Sequence, residues 1–157
     1  FVNIIPLYEA ERVRIFLARG MVPQAVAWLD EYRYPAEGSP INREVISMAR
    51  SRVLLAAGRC VEARELLGRL AAEAEAALRH GRLLEILVLR AVAGTGEAAH
   101  RALRRALELA EPEGYVRVFL DEGESVVHRL KELRDRPGDL PSGLCDHASR
   151  VLSSVAD

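Results

Sequence analysis

The chain has 157 residues, of which 22 are Lys or Arg and 23 are Asp or Glu, giving a formal net charge of -1. Half of the residues are apolar and 29% are charged, which suits one ordinary domain with a sizeable core and excludes wholesale disorder. The balanced charge argues against a dedicated nucleic-acid or membrane-surface binder, which carries a basic excess, and no apolar run approaches the ~20 residues that span a bilayer.

Ala, Leu, Arg and Glu dominate, and all favour helix. Apolar residues recur at helical spacing, as in Ala63, Leu66/Leu67, Leu70/Ala71, Ala74 and Ala77/Leu78, or Ala98/Ala99, Ala102/Leu103, Ala106/Leu107 and Ala110. The pattern predicts an all-α chain of about nine helices: 5–19, 22–33, 41–57, 60–79, 82–93, 96–110, 112–121, 124–134 and 142–155. Gly20, Gly58 and Gly94-Thr95-Gly96 end or turn helices, and loops are expected at Pro35–Pro40 and Arg136–Pro141. Tyr115–Leu120 could pass for a short strand; its Tyr115/Phe119 pair at i,i+4 and its helical neighbours place it in a helix.

The sequence also repeats itself. From Gly20, Ala25 follows at five residues and Leu29 at nine; from Gly58 the same offsets give Ala63 and Leu67, and from Gly94 they give Ala99 and Leu103. The glycines are 38 and 36 residues apart. Units of that length are what stacked helix–turn–helix repeats use, and the tetratricopeptide period is 34. A small Ala lets the second helix of a pair cross close to the first, and Leu fills the gap to the next pair. One pair cannot cover its apolar face alone, so pairs stack. We expect tetratricopeptide-like hairpins at about 5–34, 41–80 and 82–111, followed by C-terminal helices over 112–155. These would form a single domain over 1–157, wound as a right-handed superhelix. The third repeat matches less well, with Ala91 in place of Leu17 and Leu55, as if a turn were missing from its first helix. The alternative is an irregular bundle whose apparent repeat is an Ala/Leu bias.

The search for chemistry returns little. Cys60 and Cys145 lie 85 residues apart with no CxxC or Cys/His ligand spacing, which reads as two reduced thiols in a cytoplasmic protein. There is no GxxxxGK[ST] and no HExxH. His80, His100, His128 and His147 are scattered among polar neighbours and are expected on helix surfaces. Pairs such as Glu73/Glu75 and Glu108/Glu111 read as solvated carboxylates, so no catalytic, metal or cofactor site is expected, and the chain does not read as an enzyme. In the cluster Arg101, Arg104 and Arg105, Glu97 and Glu108 are the expected i,i+4 partners of Arg101 and Arg104.

Arg14 and Arg52 both lie six residues before their repeat glycine. In tetratricopeptide repeats such positions on first helices face the concave groove. There two guanidiniums receive a carboxylate, a phosphate or a sugar hydroxyl; the alternative is pairing with Glu11, Glu44 or Glu85 inside the stack. Met48 and Glu85 are weaker neighbours of the same groove. Tyr8, Arg12, Trp28, Tyr32 and Tyr34 concentrate aromatic character near the N-terminus, where core and capping roles compete with stacking on a ligand.

At this point the residues resemble a family. Leu54-Leu55-Ala56-Ala57-Gly58-Arg59-Cys60-Val61-Glu62-Ala63, Leu84–Leu89, and above all Ala106-Leu107-Glu108-Leu109-Ala110-Glu111-Pro112-Glu113-Gly114-Tyr115-Val116-Arg117-Val118-Phe119-Leu120-Asp121-Glu122-Gly123 are similar to the superhelical sensor region of MalT-like regulators of the LuxR class. Asp146–Leu152 resembles the helix that follows it. The resemblance implies an upstream ATP-hydrolysing switch module, a downstream helix-turn-helix DNA reader, and between them a superhelix that receives an inducer (a maltooligosaccharide in the best-known member) or a regulatory protein. Self-association accompanies activation in that family. Phe1-Val2-Asn3-Ile4-Ile5 reads as mid-chain sequence, so the chain is expected to be the sensor piece of a longer regulator, with no ATP site and no DNA contact of its own. The rival reading is a stand-alone scaffold that binds a protein or peptide.

Overall fold

The computed structural model describes residues 4–35 and 37–155; the reading of Phe1-Val2-Asn3 and the Ala36 position of the first loop lie outside them. Among the described residues there are nine α-helices and no strand. They are α1 (Ile5–Ala18), α2 (Val22–Glu31), α3 (Pro40–Ala56), α4 (Cys60–Ala76), α5 (His80–Ala93), α6 (Gly96–Ala110), α7 (Arg117–Leu120), α8 (Glu124–Asp135) and α9 (Ser142–Ser153). The expected 112–121 helix is mostly absent. Pro112 sits in a 3-10 turn over Glu111–Glu113, Gly114 takes φ +68°, and only Arg117–Leu120 is α-helical. No helix among the described residues is long and apolar enough to cross a membrane.

Two compact units result, 1–70 and 71–157. In the first, α1 and α2 form a hairpin and α3 packs against both. Arg33 of the loop after α2 and Arg50 of α3 each donate to the Leu29 carbonyl at 3.2 Å, placing positive charge at the C-terminus of α2, where the helix dipole favours it. Burial, followed by the nearby Arg33 and Arg59 charges, holds the Arg50 pKa below its ordinary value. In the second unit, α5 and α6 form the hairpin and α8 packs against both, repeating the arrangement of α1, α2 and α3. Arg129 of α8 donates to the Gly94 carbonyl at 2.8 Å and ties α8 to the α5–α6 connection.

The turns give the repeat its physical basis. Gly20 has φ +68°, its N–H donates to the Leu17 carbonyl at 3.0 Å, and the Met21 N–H donates to Phe16 at 2.8 Å. Gly58 has φ +74° with the same bonds to Leu55 and Leu54, at 3.0 and 2.8 Å. This is the Schellman arrangement, in which a left-handed residue returns two N–H groups to the last carbonyls of a helix. Gly94 is different. Its φ is -86°, and a Cβ there would stand 3.0 Å from the Arg90 carbonyl oxygen and 3.3 Å from the Ala99 Cα and Cβ, so the glycine eases a close approach rather than a left-handed turn. The helices still turn at Gly94, and the left-handed geometry recurs in the α4–α5 connection at Leu78, with φ +53° and bonds from its own N–H to Glu75 and from Arg79 to Ala74 at 3.0 and 2.9 Å. Counted from Leu78, the same offsets reach Leu83 and Leu87. The small-residue seam still holds where the sequence places it: Ala25, Ala63 and Ala99 all have 0% exposure. The α5 helix has 14 residues against 17 in α3, about the missing turn, although α1 also has 14.

One histidine departs from expectation. His147 of α9 is fully buried, not on a helix surface. Its Nε2 donates to the Tyr115 carbonyl at 2.9 Å, the Arg150 guanidinium lies 3.3 Å from Nδ1, and the ring meets Phe119 edge-on at 6.3 Å. Both bonds fit the neutral tautomer with the proton on Nε2. Through this contact α9 closes over α7, beside α6 and α8.

A left-handed leucine costs about 1 kcal/mol relative to glycine, and Leu78 recovers little of that by burial, being 76% exposed. Leu78→Gly is expected to raise the unfolding free energy by about 1 kcal/mol in urea denaturation, and Gly58→Leu to lower it by at least as much. No change in either variant would refute the shared turn.

Candidate functional site

An open cleft of about 390 Å³ lies in the first unit between α1 and α2. It arises from two stripes. Glu9, Arg12 and Phe16 follow at helical spacing on α1, and Gln24, Trp28 and Glu31 on α2, with Tyr32 at its end. The turn at Gly20 brings the two helices antiparallel, so the stripes face each other.

Within the cleft the polar groups bind one another first. The Trp28 indole N–H donates to Glu9 Oε2 at 2.8 Å, and the Arg12 guanidinium stands 3.5 Å from the same oxygen. Arg12 also lies over the Phe16 ring, 5.3 Å from its centroid, a cation–π arrangement. Trp28 and Tyr32 are stacked, with centroids 5.5 Å apart and planes 12° from parallel. Trp28 is almost wholly buried and forms the floor; Arg12, Gln24 and Glu31 reach solvent at the rim. Burial, then the Glu9 carboxylate and Tyr34, push the Tyr32 phenol above its ordinary pKa. The arrangement can offer a flat apolar face, a guanidinium fork, an amide and a free carboxylate to a ligand. It contains no nucleophile paired with a base. Among the described residues no group of three or more His, Cys, Asp or Glu could hold a metal.

The residues singled out in the sequence fall elsewhere. Arg14 lies on α1, exposed, with no ion-pair partner among the described residues. Arg52 lies on α3, half-buried, and is not a free cation. Met48 is 1% exposed and part of the core of the first unit. Glu85 belongs to the second unit and pairs with Arg82 at 2.9 Å. Of the aromatic group, Arg12, Trp28 and Tyr32 line the cleft, whereas Tyr8 is exposed and Tyr34 covers Gly38. Sequence reasoning missed Glu9, Phe16, Gln24 and Glu31. Their signal is a pair of i,i+3/i+4/i+7 stripes on consecutive helices, visible only once the two helices are paired.

The coupling of Tyr32 to Glu9 is open to test. A raised phenol pKa means that the folded protein holds this proton more tightly than the unfolded chain. The stabilisation is therefore complete below the ordinary value of 10.0 and is lost as pH rises from there through the folded-state pKa. Glu9→Gln keeps an acceptor for Trp28 but removes the charge. The Tyr32 midpoint in an ultraviolet titration, isolated by difference from Tyr32→Phe, is expected to fall; an unmoved midpoint would show that burial acts alone.

Comparison with known proteins agrees with this architecture. Residues 1–136 match the family model of the MalT-like TPR region, which spans both hairpins, the α4 helix and the α8 helix. Among curated proteins no match is found. With an all-helical fold and a match over most of its length, the chain belongs to the MalT-like TPR region family.

Proposed function

We propose that the chain is the sensor and interaction region of a MalT-like transcriptional regulator of the LuxR class. It binds a small-molecule inducer or a regulatory protein and couples that event to transcription activation. The reading rests on the family match over residues 1–136 together with the α1–α2 cleft, whose stacked aromatics and polar rim suit a small polar ligand. Binding changes activity only through a difference in affinity between resting and active conformations. In this reading the protein is cytoplasmic and not an enzyme, the ATP site and the DNA reader belong to other modules of the regulator, and activation involves self-association. Arg14 and Arg52, both in the first unit, remain the proposed contacts for a ligand on the first-helix faces.

Trp28 is the chain's one tryptophan, so its fluorescence reports on the cleft. Titration with a panel of small sugars and metabolites is expected to find a ligand that changes Trp28 emission and releases heat. Arg12→Ala and Tyr32→Ala should each weaken that ligand by about tenfold with the helical circular dichroism unchanged. Binding that survives both variants but falls with Arg14→Ala and Arg52→Ala would move the ligand to the first-helix faces. If only protein partners are recovered in pull-downs and the panel gives neither heat nor emission change, the metabolite-sensor reading is wrong and the scaffold reading takes its place.

A further inference from the structure

A second concavity, in the second unit, has a different character. A groove of about 320 Å³ runs between α4, α5 and α6. Its floor is Leu83 and Leu87 of α5, one wall carries Glu75 of α4, and the other carries Arg101 and Arg105 of α6, with Arg90 at the end of α5. Leu83 and Leu87 are 4% and 5% exposed and form only the base of the groove, and the alanines on α4 and α6 that complete the lining keep its walls short and apolar.

The charges here are not neutralised as the sequence expects. Glu97, the expected partner of Arg101, lies 3.5 Å from Arg136 instead. Glu108, the expected partner of Arg104, pairs with Arg105 at 3.0 Å. Arg90 and Arg101 are exposed and have no carboxylate partner among the described residues. A solvated arginine face would be unremarkable alone. Here Arg90 and Arg101, beside Arg105 and its partner Glu108, border a leucine floor with one carboxylate, Glu75, on the far wall, so the groove combines an apolar base with a net positive charge.

We propose that this groove docks an acidic amphipathic helix of a partner protein, with leucine-type side chains on Leu83 and Leu87 and carboxylates on the arginine wall. Arg101 and Arg105 are one helical turn apart, a rise of about 6 Å, which matches two carboxylates one turn apart on a partner helix. Each guanidinium can receive a carboxylate through two N–H groups. Glu75 faces that wall and repels carboxylates, so it orients the partner with its acidic edge toward α6. The surface is separate from the α1–α2 cleft and uses none of its residues.

The probe is a fluorescein-labelled helical peptide of about 16 residues carrying Leu at i, i+4 and i+7 and Glu one turn apart on one flank. Two controls replace Glu by Gln or Leu by Ala. Fluorescence polarisation with the full chain is expected to show saturable binding of the first peptide, with both controls at least about tenfold weaker. Arg101→Glu with Arg105→Glu should abolish binding and recover it for a peptide bearing Lys in place of Glu. Both positions are exposed, and circular dichroism checks folding; Arg101→Gln with Arg105→Gln should weaken binding without the charge reversal. Arg12→Ala and Tyr32→Ala should leave this peptide unaffected, which separates failure here from failure of the sensor reading. The proposal is overturned if all three peptides bind alike, if none binds, or if charge reversal has no effect. It is equally overturned if millimolar phosphate displaces the peptide completely, which marks a simple anion site. Self-association of the chain that the double variant removes would assign the groove to a second copy and also overturn it.

Discussion

Close approach of helices through alanine is the constraint on which the rest of the structure depends. Ala25, Ala63 and Ala99 are all inaccessible, and the leucines one turn further on, Leu29, Leu67 and Leu103, are at most 2% exposed. A larger side chain at such a seam forces neighbours out of their rotamers and typically costs 1–3 kcal/mol. The third seam shows the tightness directly, since Ala99 lies so close to Gly94 that even a methyl group on the glycine would press on it. The seam also sets function. The pairing of α1 with α2, where Ala25 is fully buried, is what lets the Trp28 indole reach Glu9 across the hairpin.

The two concavities contrast in how their charges are satisfied. In the α1–α2 cleft, Glu9 accepts from Trp28 and faces Arg12, and Arg12 rests on Phe16. Hydrogen bonds to an ionised carboxylate are strong, so the shape of the cleft is held before anything enters it. Little of the binding energy of a ligand is then spent on ordering the site. The α4–α5–α6 groove is the opposite case: its leucines are set by packing, while Arg90 and Arg101 stay in water. One surface is preorganised for shape, and the other offers charge that only an incoming partner can neutralise.

Much of the fold was legible in the sequence because helix starts and stops are local. Pro40 opening α3 and the left-handed glycines at 20 and 58 are decided by their own backbone preferences. Failures came where a local sign has two physical meanings. Gly94 ends α5 as expected, but unlike Gly20 and Gly58 it does so with a negative φ, and the left-handed form of the turn recurs at a leucine between α4 and α5. Gly114 and Pro112 broke a helix that apolar spacing alone would have continued. His147 looked polar in its neighbourhood along the chain, but its neighbours in space are Phe119 and the Tyr115 carbonyl. Glu108 was assigned to Arg104 rather than Arg105 because i,i+3 and i,i+4 choices are nearly equal in energy, whereas Glu97 lies near Arg136, a neighbour in space that local spacing does not reveal. The cleft was half visible, through its aromatic residues. Glu9 and Gln24 became meaningful only when α1 and α2 were set side by side.

The burial of His147 separates the end of the family match from the end of the folded unit. The family match ends at Arg136, in the loop before α9. The α9 helix nevertheless buries Ala148 and Val151 and seals Phe119. A chain cut where the family match stops would leave an oily scar on α7 and α8, and such a scar invites aggregation. The last helix thus covers apolar surface that the matched residues alone leave open, and the smallest piece that keeps the second unit dry must extend through Ser153.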